Sequence, residues 1–466
     1  MNAEISNSRL HTKLKRYINQ RDNLKTKLPN IYYCGSRVFK QVGALPAVFL
    51  LANEKDEVRT FGTVSCHSAW ACPKCTAQVM AQKGTDIACM IDAMAKWYNK
   101  YAFMVTFTIP HKKFQSCEEV FELLQGIWRN FTKQGEVTSR KKLYTLKNDL
   151  GERSKKGGAL GVGQKGTQKQ YTITSRKPYS QFRSQLDIKY SVKVFEFTYG
   201  ENGWHPHIHA LFWTDKTNFK NADTILKFED QLLNQWWECG KLVATRFKGE
   251  EFAENMFSEE SKHPKTGHKS VYFSRDNHGK VRIEKSSHYI TGWTADKELT
   301  GGTTFKTGHI ANGQHLTPNQ ILERIETDPE HWEDWIKLYI EYALATRGHR
   351  RVEFSKGAKP TCKEIITKWK KTNDYMEVLK KKVTDKAHTW RVAYWFSEKQ
   401  WFDICWLDLT TDKPILTEIL TRAPNKELLE EYLTEIGIPL TTHEHTHAEH
   451  IAKRVFENRI SDALIA

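Results

Sequence analysis

The chain has 466 residues, with 71 Lys+Arg against 55 Asp+Glu and a formal net charge of +16. That length allows two or three domains with an ample core, and the charge favours a polyanionic partner without separating DNA, RNA and membrane surface. The polar start Met-Asn-Ala-Glu-Ile-Ser and the lack of any run of about eighteen apolar residues leave no signal peptide, membrane helix or membrane partner to expect. Nine cysteines, an odd number, argue against a disulfide framework and for a cytoplasmic location. Some of the 15 Trp, interleaved with basic residues, suit stacking on exposed bases, although most are expected in the core.

In chain order, residues 1–33 are polar and basic, with a weak helical period through Leu10, Leu14 and Tyr17, and predict a solvated helix or flexible basic arm. Residues 34–100 form a cysteine-rich segment and a helix. Cys72 and Cys75 are a C-x-x-C knuckle whose spacing lets two thiolates reach one tetrahedral ion, and Cys34 and Cys66 complete four ligands, with His67 a substitute for either. Structural Zn²⁺ is the expectation, and a buried cluster of reduced thiols the competing one. Cys89, Cys117, Cys239, Cys362 and Cys405 sit in apolar or helical contexts and read as core.

Val79, Met80, Ile87, Met90, Ile91, Met94 and Trp97 give Thr76–Tyr98 a helical stripe, and Tyr101 to Ile109 reads as a buried strand ended by Pro110. Glu118–Lys133 is an amphipathic helix. Residues 151–184 carry eight basic residues against Glu152, with many glycines. They predict either a loop closing on a phosphate backbone through Lys165, Lys169, Arg176 and Lys177, or an insertion without a specific role. Gly161–Thr167 misses the spacing of a phosphate loop, which excludes an NTPase reading.

The most informative stretch is Trp204-His205-Pro206-His207-Ile208-His209, preceded by a strand over Val192–Tyr199 and the turn Gly200-Glu201-Asn202-Gly203. Alternate residues of a strand share a face, so the three imidazoles project together. A hairpin closed by that four-residue loop sets Glu196 opposite His207, giving a carboxylate and imidazoles suited to an open catalytic metal site. His207 and His209 are the candidate ligands, Glu196 the third, and His205, beside a strand-disturbing proline, a reserve. A His-rich strand without metal is the bland alternative.

Gly-Trp-His-Pro-His-Ile-His resembles the metal-binding motif of HUH endonucleases, specifically the rolling-circle replication initiator (Rep) proteins of plasmids. The similarity extends over about residues 34–357. It places the Tyr101–Pro110 strand, with its alternating threonines, beside the metal hairpin, and Cys-x5-Cys-Pro-x-Cys is similar to the cysteine-rich segment that precedes it. Ser286-Ser287-His288-Tyr289-Ile290-Thr291-Gly292-Trp293 resembles the helix presenting the catalytic tyrosine, which implies Tyr289 as the single nucleophile. Gly292 stands where many relatives carry lysine; Lys297, two helical turns on, is the nearest substitute. Glu284 or Glu298 are candidates to activate water. The resemblance implies Mn²⁺ or Mg²⁺ as catalytic ion, nicking of one strand of single-stranded or supercoiled origin DNA, a 5′-phosphotyrosyl intermediate with a free 3′-hydroxyl, rejoining without ATP, and a host helicase and polymerase as further partners.

After a charged stretch at 247–282 with a hairpin around Asp276–Gly279, Thr317-Pro318 and Thr327-Asp328-Pro329 signal helix starts. The second helix runs to Arg347, is stopped by Gly348, and ends in the basic run Arg347, Arg350 and Arg351, a candidate phosphate contact. Beyond Pro360 a basic helix over Lys363–Lys382, an aromatic strand-like stretch over Thr389–Leu409 and helices at Lys426–Glu435 and Glu449–Leu464 are expected. Together these predict an α+β protein. A basic arm over 1–33 precedes the zinc segment 34–100, and a nicking and joining domain over 101–310 carries an antiparallel sheet flanked by helices. A mainly helical region over 311–466 serves DNA binding or self-association. The alternatives are an HUH relaxase or single-strand transposase, and a non-catalytic zinc-containing nucleic-acid-binding protein.

Overall fold

A computed structural model of the chain describes residues 3–38, 47–53, 56, 58–133, 136–147, 153–154, 166–176, 178–219, 223–262, 270–276, 278–283, 315–356, 360–375, 391–411 and 413–440. Helices α1 (Ala3–Asn19), α2 (Asp22–Lys27) and α3 (Pro29–Tyr33) lead into strands β1 (Ala47–Ala52) and β2 (Val58–Phe61). Helix α4 (Pro73–Tyr98), strand β3 (Lys100–Thr108) and helix α5 (Cys117–Phe131) follow. Next come β4 (Glu136–Lys147), β5 (Arg153–Ser154), β6 (Gly166–Arg176), α6 (Pro178–Gln185), β7 (Ser191–Gly200) and β8 (Gly203–Asp215). Helices α7 (Asp223–Leu226), α8 (Phe228–Lys248), α9 (Glu250–Met256) and α10 (Glu259–Lys262) precede β9 (Val271–Phe273). The C-terminal third holds β10 (His315–Leu316), α11 (Pro318–Thr327), α12 (Trp332–Ala345), β11 (Val352–Phe354), α13 (Cys362–Trp369), β12 (Arg391–Ser397), α14 (Glu398–Thr410), α15 (Ile415–Arg422) and α16 (Lys426–Glu435). The class is α+β with antiparallel sheets, as the residue pattern predicts.

The chain divides into two compact units, each discontinuous in sequence: Met1–Glu122 with Tyr190–Trp213 and Ile283–Ala466, and Leu123–Lys189 with Thr214–Arg282. In the first unit, strands of one sheet lie in the order β10-β7-β8-β3, with β11 against β7. Its core joins Met80, Ile87, Met90 and Met94 of α4 to Met104, Val194, Leu211 and Trp213. A second sheet, β12-β1-β2, pairs residues more than three hundred positions apart, as in Val48↔Phe396 and Leu50↔Tyr394. Trp401, Ile404, Ile419 and Leu433 pack on it.

Two expectations change here. Leu10, Leu14, Tyr17 and Ile18 of α1 are all buried, so residues 3–33 are a packed helical element and not a solvated arm. The region after 311 shares a sheet and core with residues 47–61, so it is not a separate domain. Within it, the stretch Thr389–Leu409 is strand only over Arg391–Ser397. Ser397 then caps α14, accepting from the Gln400 N–H while the Gln400 side chain accepts from the Ser397 N–H. Thr317 caps α11 in the same way, with Pro318 in its first turn, as predicted. The helix predicted at Glu449–Leu464 lies outside the described residues.

In the second unit β4 and β6 form a long antiparallel ladder, from Glu136↔Arg176 to Leu146↔Gly166, with β5 on the outer edge of β4. Residues 153–154, 166–176 and 178–184 of the stretch expected as a basic loop or an insertion without a role are therefore strand and helix. Phe131, Tyr179, Phe182 and Trp236 are buried together in this unit. The predicted hairpin near 276 reduces to one bridge, Arg275↔Val281, around a turn in which Asp276 N–H donates to Lys280 O at 2.8 Å.

Candidate metal centre

The register of β7 against β8 decides the site. Glu196 pairs with His207, Thr198 with His205 and Val194 with His209, so Glu196 and the imidazoles share one face. This is the predicted register, reached with a tighter turn: Gly200 and Gly203 pair with each other and only Glu201 and Asn202 connect them. Gly203 has φ +82, and a Cβ there would lie 3.0 Å from Lys113 Cα. Pro206 sits inside β8 opposite Phe197 and does not end the strand.

Glu196 Oε2 accepts hydrogen bonds from His207 Nε2 and His209 Nε2, each at 2.8 Å, and all three residues are buried. Burial by itself pushes the Glu196 carboxyl up; the two imidazole hydrogen bonds and their charge outweigh it and hold the group well below the usual carboxylate range. Behind His209, Thr106 Oγ1 on β3 lies 3.0 Å from Nδ1. That contact fixes the ring and aims Nε2 at the carboxylate. The ligand atoms of Glu196, His207 and His209 lie within 4.8 Å of one another. One carboxylate oxygen and two imidazole nitrogens on three buried residues form a donor set that fits a divalent cation.

His205 is not part of this set. Its Nδ1 is 2.7 Å from His111 Nε2 and its Nε2 is 3.2 Å from Thr108 Oγ1, while His111 Nδ1 donates to Asn202 O at 2.9 Å. One tautomer assignment satisfies the whole chain: Thr108 donates to His205, His205 to His111, and His111 to the turn. Burial, with the neighbouring His207, His111 and His315, keeps His205 well below the usual imidazole range and therefore neutral. It braces the hairpin tip and stands outside the Glu196–His207–His209 set. Nothing periodic in the sequence marks His111, which follows Ile109-Pro110 outside the strand.

The four predicted cysteines also converge. Cys34, Cys66, Cys72 and Cys75 have their sulfurs within 4.8 Å of one another, with Cys34 Sγ 3.4 Å from Cys75 Sγ and 3.6 Å from Cys72 Sγ. Four thiols from a knuckle and two loops, three of them buried, form a four-sulfur donor set of the kind that holds structural zinc. The loop between Cys66 and Cys72 is tied to the rest of the unit through main-chain carbonyls and the Trp70 indole. Tyr339 Oη donates to Ala71 O at 2.8 Å and Trp70 Nε1 to His349 O at 2.8 Å. Arg351 donates to Ala69 O at 3.1 Å and to Phe195 O at 3.4 Å. Arg351 is 3% exposed, its guanidinium lying over the Trp70 ring, so it is an internal strut and not a phosphate contact. Arg347 and Arg350 are exposed.

Tyr289, Lys297, Glu284 and Glu298 lie outside the described residues, as do Lys165 and Lys177. Lys169 and Arg176 are on β6, opposite Leu143 and Glu136. The chain re-enters the described part at His315, which pairs with Gly200 at the end of the strand bearing Glu196. Tyr342, packed on Trp204 with ring centroids 5.8 Å apart, is fully buried and donates to Trp70 O at 3.4 Å. Burial raises its phenol, so Tyr342 is structural.

No family model matches the chain, and no solved structure does. Two curated proteins are similar to it. "Protein rep" of Streptomyces lividans is 26% identical over 153 residues, 32% of this chain and 29% of that protein. "Neomycin resistance protein" of Streptomyces cyanogenus is 28% identical over 160 residues, 32% of this chain and 30% of that protein. The relationship is Rep-like and distant. It spans less than a third of either relative's length.

Proposed function

We propose that this protein initiates rolling-circle replication of a plasmid by nicking and rejoining one strand of origin DNA. The observation that carries the reading is the buried Glu196–His207–His209 set on a strict β7–β8 register, in a chain with Rep-like similarity. A divalent cation held by those three residues would withdraw charge from the scissile phosphate and stabilise the oxygen that develops charge on it. The Tyr289 phenolate attacks phosphorus, the bond to the 3′ oxygen breaks, and the 3′-hydroxyl is released while the 5′ side stays on tyrosine. The phosphoester is conserved in that link, so a later attack by a 3′-hydroxyl restores the strand without ATP. Glu196 supplies the negative charge that anchors the cation, and Thr106 holds His209 in the orientation that presents Nε2. The two tyrosines packed beneath the hairpin, Tyr339 and Tyr342, have their hydroxyls bonded to the main chain. The nucleophile assigned to Tyr289 rests on the resemblance of its motif, and the chain resumes at His315, paired with Gly200 at the end of β7.

The test is incubation with labelled single-stranded origin DNA and Mn²⁺. A covalent protein–DNA adduct lost in Tyr289→Phe and in His209→Ala is expected. An undiminished adduct in Tyr289→Phe removes that residue as nucleophile. Tight binding with no adduct on any origin strand supports instead the zinc-containing nucleic-acid-binding reading, for which the Cys34–Cys66–Cys72–Cys75 cluster would be sufficient.

A further inference from the structure

A cavity of about 860 Å³ opens beside the cysteine loop, bounded by the α2–α3 junction, Cys66–Ala71, α4 and the run Arg347–Phe354. Its charge is one-sided. Lys27, Lys83, Arg347, Arg350 and Lys356 line it, with Glu353 the acidic member. Lys83 is within 3.5 Å of Asp86, and Glu353 is held by Lys193 at 3.3 Å. Lys27, Arg347, Arg350 and Lys356 are exposed and make no ion pair among the described residues. Four uncommitted cations around one concavity repel each other, and a fold retains that cost most readily where a polyanion relieves it. Val352–Phe354 on the cavity wall pair with Val192–Val194 of β7, two residues short of Glu196. The cavity therefore adjoins the strand that presents the metal ligand.

We propose that this cavity seats the phosphodiester backbone of the origin strand to one side of the scissile position, so that the cysteine loop and the Arg347–Lys356 segment form one wall of a single-strand channel. The inference rests on the function proposed above. The volume is that of a small-ligand pocket, which suits a few nucleotides of a single strand. The cations are exposed lysines and arginines, side chains suited to phosphate oxygens. Contact is therefore with phosphates and independent of sequence.

The test uses the full chain, fluorescence anisotropy and a labelled single-stranded oligonucleotide that runs past the scissile position on both sides. The variant Lys27→Ala/Arg347→Ala/Arg350→Ala/Lys356→Ala is expected to bind at least about tenfold more weakly at moderate salt. The slope of log affinity on log salt should become shallower by about 0.7 for each phosphate that is no longer neutralised. The single reversal Arg350→Glu, at an exposed position that leaves the core intact, should weaken binding in the same direction. Unchanged affinity and salt slope in both cavity variants would overturn the proposal, as would full competition by a free nucleotide at the concentration of strand phosphates. Failure of wild type to form an adduct, with the cavity variants still weakened, would remove the nicking function and leave the binding seat standing.

Discussion

Glu196 keeps its charge in a buried position because two imidazoles each donate to one of its oxygens. Glu196→Gln retains the shape but removes the charge that would hold a cation, and Mn²⁺ affinity measured by calorimetry should fall at least about 100-fold. Thr106→Val removes only the hydrogen bond behind His209, and affinity should fall about tenfold, the usual scale for a partner one shell away from the ion. Equal losses in the two variants would count against Glu196 as a ligand. Asp408 is the opposite case. Burial lifts its carboxyl above the usual range, although Thr12 Oγ1 donates to it at 2.7 Å, Leu416 N–H at 2.9 Å, and Arg16 and Lys15 lie near. A raised acid binds more protons folded than unfolded, so its contribution to stability is present at low pH and declines as pH climbs through the raised value. Asp408→Asn cannot titrate, and should gain stability relative to wild type as pH rises from about 4. Urea midpoints of the two proteins that keep a constant separation across that window would contradict this.

At the level of elements, the β7–β8 register was legible because glycines flank a short turn and imidazoles alternate with apolar residues; the period of a strand leaves little choice once the turn is placed. The tighter turn was not, since Gly200 and Gly203 can equally end a four-residue loop. Gly203→Ala should strain the left-handed turn and press on Lys113, costing about 1–3 kcal/mol in urea unfolding. It should weaken metal binding with it, and a variant as stable as wild type would mean the turn relaxes freely. The Thr106 and Thr108 contacts could have been inferred from their alternation on β3, whereas His111 carries no local mark. The Ser397-Glu398-Lys399-Gln400 capping box was present in the sequence and marks where β12 becomes α14, but the run of aromatics around it masked the change of period. In α1 the apolar stripe is diluted by Lys13, Lys15 and Arg16, so its burial could be known only from the helices it meets.

For the whole molecule, the pairing of β1 with β12 has no local signature, which is why the last third reads as a separate domain in sequence and is not one. A chain ended at Pro360 would leave Val48, Leu50 and Ala52 without Tyr394, Phe396 and Trp401. It should bind a hydrophobic dye and lose cooperative unfolding even with residues 34–357 intact. A truncated chain that unfolds cooperatively and nicks DNA would show that the N-terminal half closes its core unaided. The division into two units interleaved along the sequence follows from the same fact: contiguous stretches were the only divisions that composition could suggest.

The hydrogen bonds that link the cysteine loop to β7 offer sulfur chemistry a route towards the carboxylate. Ala69 O is bonded to Arg351, and Arg351 to Phe195 O, one residue from Glu196. An oxidant that stitched two of these thiols together would draw the loop out of its present position and slacken that strut. Peroxide should therefore lower Mn²⁺ affinity in step with thiol loss, and reductant should restore it; a fully oxidised protein that holds Mn²⁺ as before would show that the two centres ignore each other.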